Sequence, residues 1–204
     1  FSPIEVNTYI IADEAGVCAV IDCGCYNKLE FETLTGFIDE KGFRPELLLN
    51  THCHLDHNFG NGRFRKNYGF GAHSHRDDEY NRKDSLKHAL FFGLKMEMPP
   101  DPEGYLEDGQ EIECGSMKFK SIHVPGHAAG SLAFYCEKGK VLFTGDALFA
   151  GNIGRTDLPG GSYETLISSI RTKLFILPPD TIIYPGHGVQ STIGDEISSN
   201  PYFR

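Results

Sequence analysis

Apolar residues in this chain recur at spacings of two or in short unbroken runs, a strand-like pattern interrupted by a few helical stretches. Residues 4–12 (IEVNTYIIA) and 17–22 (VCAVID) are two such runs separated by Asp13-Glu14-Ala15-Gly16, and they predict a hairpin. Over 28–41, Leu29, Phe31, Leu34, Phe37 and Ile38 take up a helical spacing that ends at Gly42. Residues 46–50 (ELLLN) are almost all apolar, as in a strand inside a sheet. A polar loop over 51–57 follows, then a short helix over 59–68 and a strand over 70–73. Leu86, Leu90, Phe91 and Leu94 predict a helix that Met96-Glu97-Met98-Pro99-Pro100 breaks. The second half repeats the style, with strands at 117–124, 132–136 and 140–144, a helix at 162–175, a strand at 181–184 and a short helix after Gly194.

Both halves read as several strands followed by a helix, with no linker between them. The pattern predicts an α+β fold: two mixed β-sheets face to face with helices outside, a four-layer αβ/βα sandwich over a single domain, 1–204. The first residue is Phe1, so a few starting residues, up to most of a first strand, or a cleaved leader are expected to precede it.

Composition narrows the function. The formal charge is −9 and no Lys/Arg run occurs, which argues against nucleic acid as a partner. No apolar stretch approaches the ~20 residues of a membrane span. Six cysteines without a C-x-x-C fit neither a disulfide framework nor a thiolate zinc ribbon and point to a reducing, cytoplasmic setting.

The chemistry lies in nine histidines and their placement. Directly after the apolar run 46–50, Thr51-His52-Cys53-His54-Leu55-Asp56-His57 spells H-x-H-x-D-H. In extended chain His52 and His54 share one side and can hold one metal ion, and a turn after them aims Asp56 and His57 at a neighbouring point. Four residues cannot complete two sites. Further candidates follow three later strand-like runs: His127 in Val124-Pro125-Gly126-His127, Asp146 in Thr144-Gly145-Asp146, and His187 in Tyr184-Pro185-Gly186-His187-Gly188. Imidazole and carboxylate without thiolate suit zinc, with iron and manganese as alternatives. Two divalent ions about 3.5–4 Å apart need shared anions, and Asp56, Asp146 and one hydroxide leave a residual charge of about +1.

In these motifs the chain resembles the metallo-β-lactamase-fold hydrolases. Ile153-Gly154-Arg155-Thr156-Asp157-Leu158-Pro159-Gly160-Gly161-Ser162 and the closing Asn200-Pro201 most resemble compact glyoxalase II-like (hydroxyacylglutathione hydrolase-like) members. The resemblance implies a first metal on His52, His54 and His127, a second on Asp56, His57 and His187, and Asp146 between them. It implies that Asp22 orients a metal-bound histidine from behind. It places Arg155 where that family contacts glutathione through a lysine. The family's extra C-terminal helical domain has no counterpart in the residues after His187.

The reading that follows is a metal-dependent hydrolase of a small thioester. A hydroxide bridging two ions attacks the carbonyl, and Asp56 and Asp146 serve as catalytic carboxylates. The alternatives are a mononuclear iron persulfide dioxygenase, a phosphodiesterase or RNase, and a non-catalytic metal-binding protein. Other features take plainer readings. His73-Ser74-His75-Arg76-Asp77-Asp78 nearly copies the motif and is expected to be an exposed loop and helix N-cap. Cys53, Phe91, Phe92, Met96 and Met98 are expected to pack in the core.

Overall fold

The computed structural model describes residues 1–204. Tyr9–Ala12 (β1) and Val17–Ile21 (β2) form the expected antiparallel hairpin, with Tyr9 opposite Ile21. Residues 4–8 lie outside it, and Val6 instead bridges to His187. The helix Lys28–Lys41 (α1) starts at Asn27, whose side chain accepts the Glu30 N–H at 3.0 Å, and ends at Gly42 in the left-handed region. Arg44–Leu49 (β3) lies parallel to β2 and to Ala72–Ser74 (β4), so it is interior as expected. Between them run the turn Leu55–Asn58 (α2) and the helix Asn61–Tyr68 (α3). Glu79–Phe91 (α4) follows, and Gly104–Tyr105 (β5) closes a five-stranded sheet in the order β1-β2-β3-β4-β5.

The second sheet comprises Glu111–Cys114 (β6), Met117–His123 (β7), Leu132–Cys136 (β8), Val141–Gly145 (β9), Ile182–Pro185 (β12) and Ser191–Thr192 (β13). Its order is β13-β12-β9-β8-β7-β6. Between β9 and β12 come the small hairpin Leu148–Phe149 (β10) and Asn152–Ile153 (β11), then Tyr163–Ser169 (α5), which runs on as a π-helical turn, Ile170–Leu174. Ile193–Ser199 (α6) ends the series. No helix is long and apolar enough to cross a membrane.

The period-two alternation of the strands builds the four layers. Ala19, Ile21, Leu47 and Leu49 of the first sheet meet Phe119, Phe134 and Phe143 of the second in a shared core. Val20 and Leu48 point the other way, onto Phe31, Leu34 and Ile38 of α1 and Phe64 of α3. On the far side Ile122, Leu142 and Ile183 pack against Leu166, Ile170 and Leu174. The outcome is the α+β sandwich that the runs predicted.

The expected helix near residue 84 needs correction. It begins at Glu79, and its buried face is Asn81, Arg82, Ser85 and Ala89. Their spacing is helical, but their chemistry is polar. Arg82 is held there by ion pairs to Glu79 and Asp101 and a bond to the Pro99 carbonyl. The apolar residues used to place the helix lie away from that face: Leu90 is 79% and Phe91 84% exposed, with Leu86 exposed as well, and Phe92 and Met98, expected in the core, are also exposed. They are not core residues. The helix stops at Phe91, and Gly93 turns the chain at φ +67°, ahead of the two prolines.

Candidate metal centre

The seven predicted ligand side chains leave the loops that follow β3, β7, β9 and β12, and they meet on one edge of the sandwich. His52 Nε2, His54 Nδ1 and His127 Nε2 form a triangle with sides of 3.0, 2.9 and 3.2 Å. Asp56, His57 and His187 form a second group, with His187 Nε2 at 3.1 Å and His57 Nε2 at 3.6 Å from Asp56 Oδ2. Asp146 lies between the groups. Its Oδ2 is 3.6 Å from both His127 Nε2 and His187 Nε2, and its Oδ1 is 3.4 Å from His57 Nε2.

Local structure produces this convergence. Residues 52–54 are extended, so both rings emerge on one side, and the turn α2 swings Asp56 and His57 to the second group. Two glycines permit the approach of the later loops. At Gly145, with φ +50°, a Cβ would strike Thr51. At Gly186 it would strike Asp146 Oδ1 and lie 2.7 Å from His57 Cε1.

The outer nitrogen of four rings is fixed by a specific neighbour. His127 Nδ1 donates to the Arg155 carbonyl at 2.8 Å and His187 Nδ1 to the Glu5 carbonyl at 3.2 Å. His57 Nδ1 donates to Asp22 Oδ2 at 2.9 Å. Thr51 Oγ1 donates its proton to Asp22 Oδ2 at 2.7 Å and so accepts from His52 Nδ1 at 3.1 Å. In the neutral rings these bonds leave a bare lone pair on Nε2 of each histidine, facing inward. His52 Nε2 and His127 Nε2 then oppose lone pair to lone pair at 3.2 Å. His57 Nε2 and Asp146 Oδ1 are buried with no hydrogen-bond partner. His52 and His127 oppose each other as bare acceptors, while the carboxylates around His57 favour a proton on its Nε2, so both halves of the cluster call for positive charge.

Titration follows the same geometry. Burial, then the neighbouring imidazoles, pushes His52 well below the usual histidine range, and burial with His127 pushes His54 down to about 3. Both present lone pairs at neutral pH. Burial also opposes protonation of His57, but Asp22, Asp56 and Asp146 outweigh it and raise that group well above its ordinary value. Burial likewise opposes ionisation of Asp146 and Asp56, yet His57 leads the neighbouring charges that hold both below the usual carboxylate range.

Asp22 sits where the resemblance put it, behind His57. It is itself in the left-handed region at φ +55°. Arg155 contributes its carbonyl to His127, while its exposed guanidinium is bidentate on Asp157 at 2.8 and 2.7 Å. The near-copy motif at 73–78 stays outside this centre. The expected exposed loop needs correction: His73 and Ser74 end β4, Ser74, His75 and Asp78 are buried, and Asp78 accepts hydrogen bonds from the Cys53 amide and from Asn81 Nδ2. Burial raises its pKa. Cys53 is buried as expected, with its thiol pushed well up by burial and Asp78. Thr51, which relays Asp22 to His52, and Asp78 were missed as supporting residues. Adjacency to the motif was the available signal for Thr51.

A family model described as the metallo-beta-lactamase superfamily matches residues 2–187. The chain is 39% identical over 205 residues to hydroxyacylglutathione hydrolase GloC of Haemophilus influenzae, covering 97% of this chain and 92% of that protein. Among solved structures, TTHA1623 in a di-iron-bound form superposes with a TM-score of 0.89 at 33% identity, covering 99% and 97% of the two chains. The BLEG-1 B3 metallo-beta-lactamase superposes with a TM-score of 0.92 at 30% identity, covering 100% and 96%. Fold, histidine–aspartate centre and relatives agree, and the chain belongs to the metallo-β-lactamase superfamily, as a metallo-hydrolase.

Proposed function

We propose that this protein hydrolyses small S-acyl thioesters at two divalent ions, one on His52, His54 and His127 and the other on Asp56, His57 and His187. The observation that carries the reading is the position of Asp146, a carboxylate within 3.6 Å of nitrogens from both groups. Such a group can bridge two cations and offset their repulsion. The similarity to a hydroxyacylglutathione hydrolase supports a thioester as the substrate.

Two divalent ions held by these residues would supply Lewis acidity toward a carbonyl and lower the pKa of water toward about 7. The chain's own groups do the rest. His52 and His54 stay neutral and keep their lone pairs directed inward. Asp22 and the Arg155 and Glu5 carbonyls hold the outer N–H groups of His57, His127 and His187, which fixes ring orientation. Asp56 and Asp146 are ionised at neutral pH and orient the attacking water through their carboxylate oxygens. The leaving thiol has a pKa of about 8–9 and departs without a dedicated proton donor. Zinc, iron and manganese all suit these ligands.

The test is metal quantitation joined to a substrate panel: S-lactoylglutathione, other acyl thioesters, a β-lactam, a phosphodiester, and a persulfide with oxygen uptake. Two ions per chain and thioester turnover that Asp146→Asn abolishes are expected. One iron per chain with oxygen uptake on the persulfide overturns the reading in favour of a dioxygenase. Cleavage of only the β-lactam or only the phosphodiester overturns the substrate class.

A further inference from the structure

We propose a separate binding site for one transition-metal ion, formed by His75, Asp77 and His123. These residues serve no role in the centre described above. One nitrogen from each ring and a carboxylate oxygen of Asp77 lie within 4.8 Å of one another. The site joins two distant stretches, the turn after β4 and the end of β7. Its first two members come from the 73–78 motif that the main centre leaves unused.

The hydrogen bonds around the cluster leave His123 Nδ1 free and hold His75 Nδ1 only weakly. His123 Nε2 donates to the Ala129 carbonyl at 2.8 Å, which leaves its Nδ1 as a lone pair in the neutral ring. His75 Nδ1 accepts the Asp77 amide at 3.2 Å, a long bond that ligation through this nitrogen would replace. The Asp77 carboxylate is 61% exposed, and no lysine or arginine pairs with it. The nearest cations are engaged elsewhere. Arg76 lies over the Tyr105 ring at 4.3 Å, and Lys173 donates to Asp108 and to the His123 carbonyl. Two imidazoles and one carboxylate without a lysine or arginine partner make a mixed nitrogen and oxygen donor set, with Asp77 open to solvent. That chemistry takes zinc, nickel or copper and rejects magnesium, which demands an oxygen shell.

The two rings are stacked, with centroids 4.1 Å apart and planes 10° apart. To converge on one ion, a ring must turn about χ2, which is a broad, soft torsion for imidazole. Binding is therefore accompanied by loss of the stack, which gives a signature independent of activity. The Asp77 side chain, being exposed, swings in as the third ligand. Water completes the shell.

The experiment titrates Zn²⁺ into the whole chain and counts bound ions in the parent protein, in His123→Asn and in Asp77→Ala. The parent is expected to hold one equivalent more than His123→Asn. Asp77→Ala, a surface change that leaves the fold alone, is expected to bind that extra ion roughly tenfold more weakly, a difference of about 1.4 kcal/mol. Imidazole NMR signals of His75 and His123 should move with the extra equivalent, and Mg²⁺ should not move them. The result is a difference between proteins, so it does not depend on how many ions the main centre holds or which substrate it takes. Equal counts in the parent and both variants, or saturation of the parent with His75 and His123 signals unmoved, would overturn the proposal.

Discussion

Replacing Asp22 by asparagine changes almost no volume and should disable both ion groups together. The Asp22 carboxylate accepts from the Thr51 amide at 2.8 Å, the Thr51 hydroxyl at 2.7 Å, His57 Nδ1 at 2.9 Å and, more weakly, Asn50 Nδ2 at 3.4 Å. With the amide oxygen kept toward the Thr51 N–H, the new NH₂ faces the Thr51 hydroxyl and His57 Nδ1. Donor then meets donor. Relief requires His57 to move its proton to Nε2 and the Thr51 hydroxyl to turn and donate to His52 Nδ1, which moves the His52 proton to Nε2 as well. One substitution thus puts a proton on an inward nitrogen of each group. Each reversed bond is worth about 1.5–3 kcal/mol when a charged partner is involved. Loss of a supporting carboxylate of this kind typically weakens metal binding roughly 10–100-fold. The assay is competition against a chelator of known affinity, followed through the absorbance of bound cobalt. Thr51→Val serves as the control that reaches only His52. Unchanged affinity for both ions in a folded Asp22→Asn protein would refute this account of the tautomers.

Gly186→Ala places a methyl group against Asp146 Oδ1 and 2.7 Å from His57 Cε1. It should cost about 1–3 kcal/mol of stability and displace Asp146, read by denaturant melts and metal counting. In chelator-treated protein, stability should fall as pH drops from about 6.5 toward 5. The unfolded chain takes up protons that His54, held down to about 3, and His52 refuse when folded. His57 and His187, both raised above the ordinary value, hold their protons better when folded and oppose this trend only near pH 6.5, where the unfolded rings are still partly neutral. Urea melts at two pH values check the sign, and greater stability at the lower pH would count against it. Phe91→Ser, at a position 84% exposed, should leave stability within about 0.5 kcal/mol of the parent by the same melts, whereas a core role would cost several times more.

The main centre was readable because four of its side chains lie within one six-residue stretch, and the other three follow strands that announce themselves as apolar runs. The sandwich was readable for the same reason, since the unbroken apolar runs at residues 17–21 and 132–136 and the period-two pattern at 117–123 are strong. What escaped the sequence has definite causes. The strands β5, β10, β11 and β13 span two residues each, too short to show a period. The buried face of α4 is polar, stapled by Arg82, so the apolar spacing pointed to its exposed side. Asp78 carries no local mark of burial, because the group that donates to it is a backbone amide 25 residues away. The ring orientations of His127 and His187 rest on carbonyls of Arg155 and Glu5, and a carbonyl has no residue type to read.

The donors to the proposed centre are divided between the two halves of the molecule. The first sheet's loops bring His52, His54, Asp56 and His57, and the second sheet's bring His127, Asp146 and His187. Across this seam the Leu132 amide reaches the Thr51 carbonyl at 2.7 Å and the Asn7 amide reaches the Gly186 carbonyl at 2.7 Å. Ions seated there act as rivets, and each stabilises only the joined form, by about 2.7 kcal/mol at a free concentration one hundred times its dissociation constant. Starving the protein of metal would therefore loosen the join between its halves as well as silence the proposed chemistry.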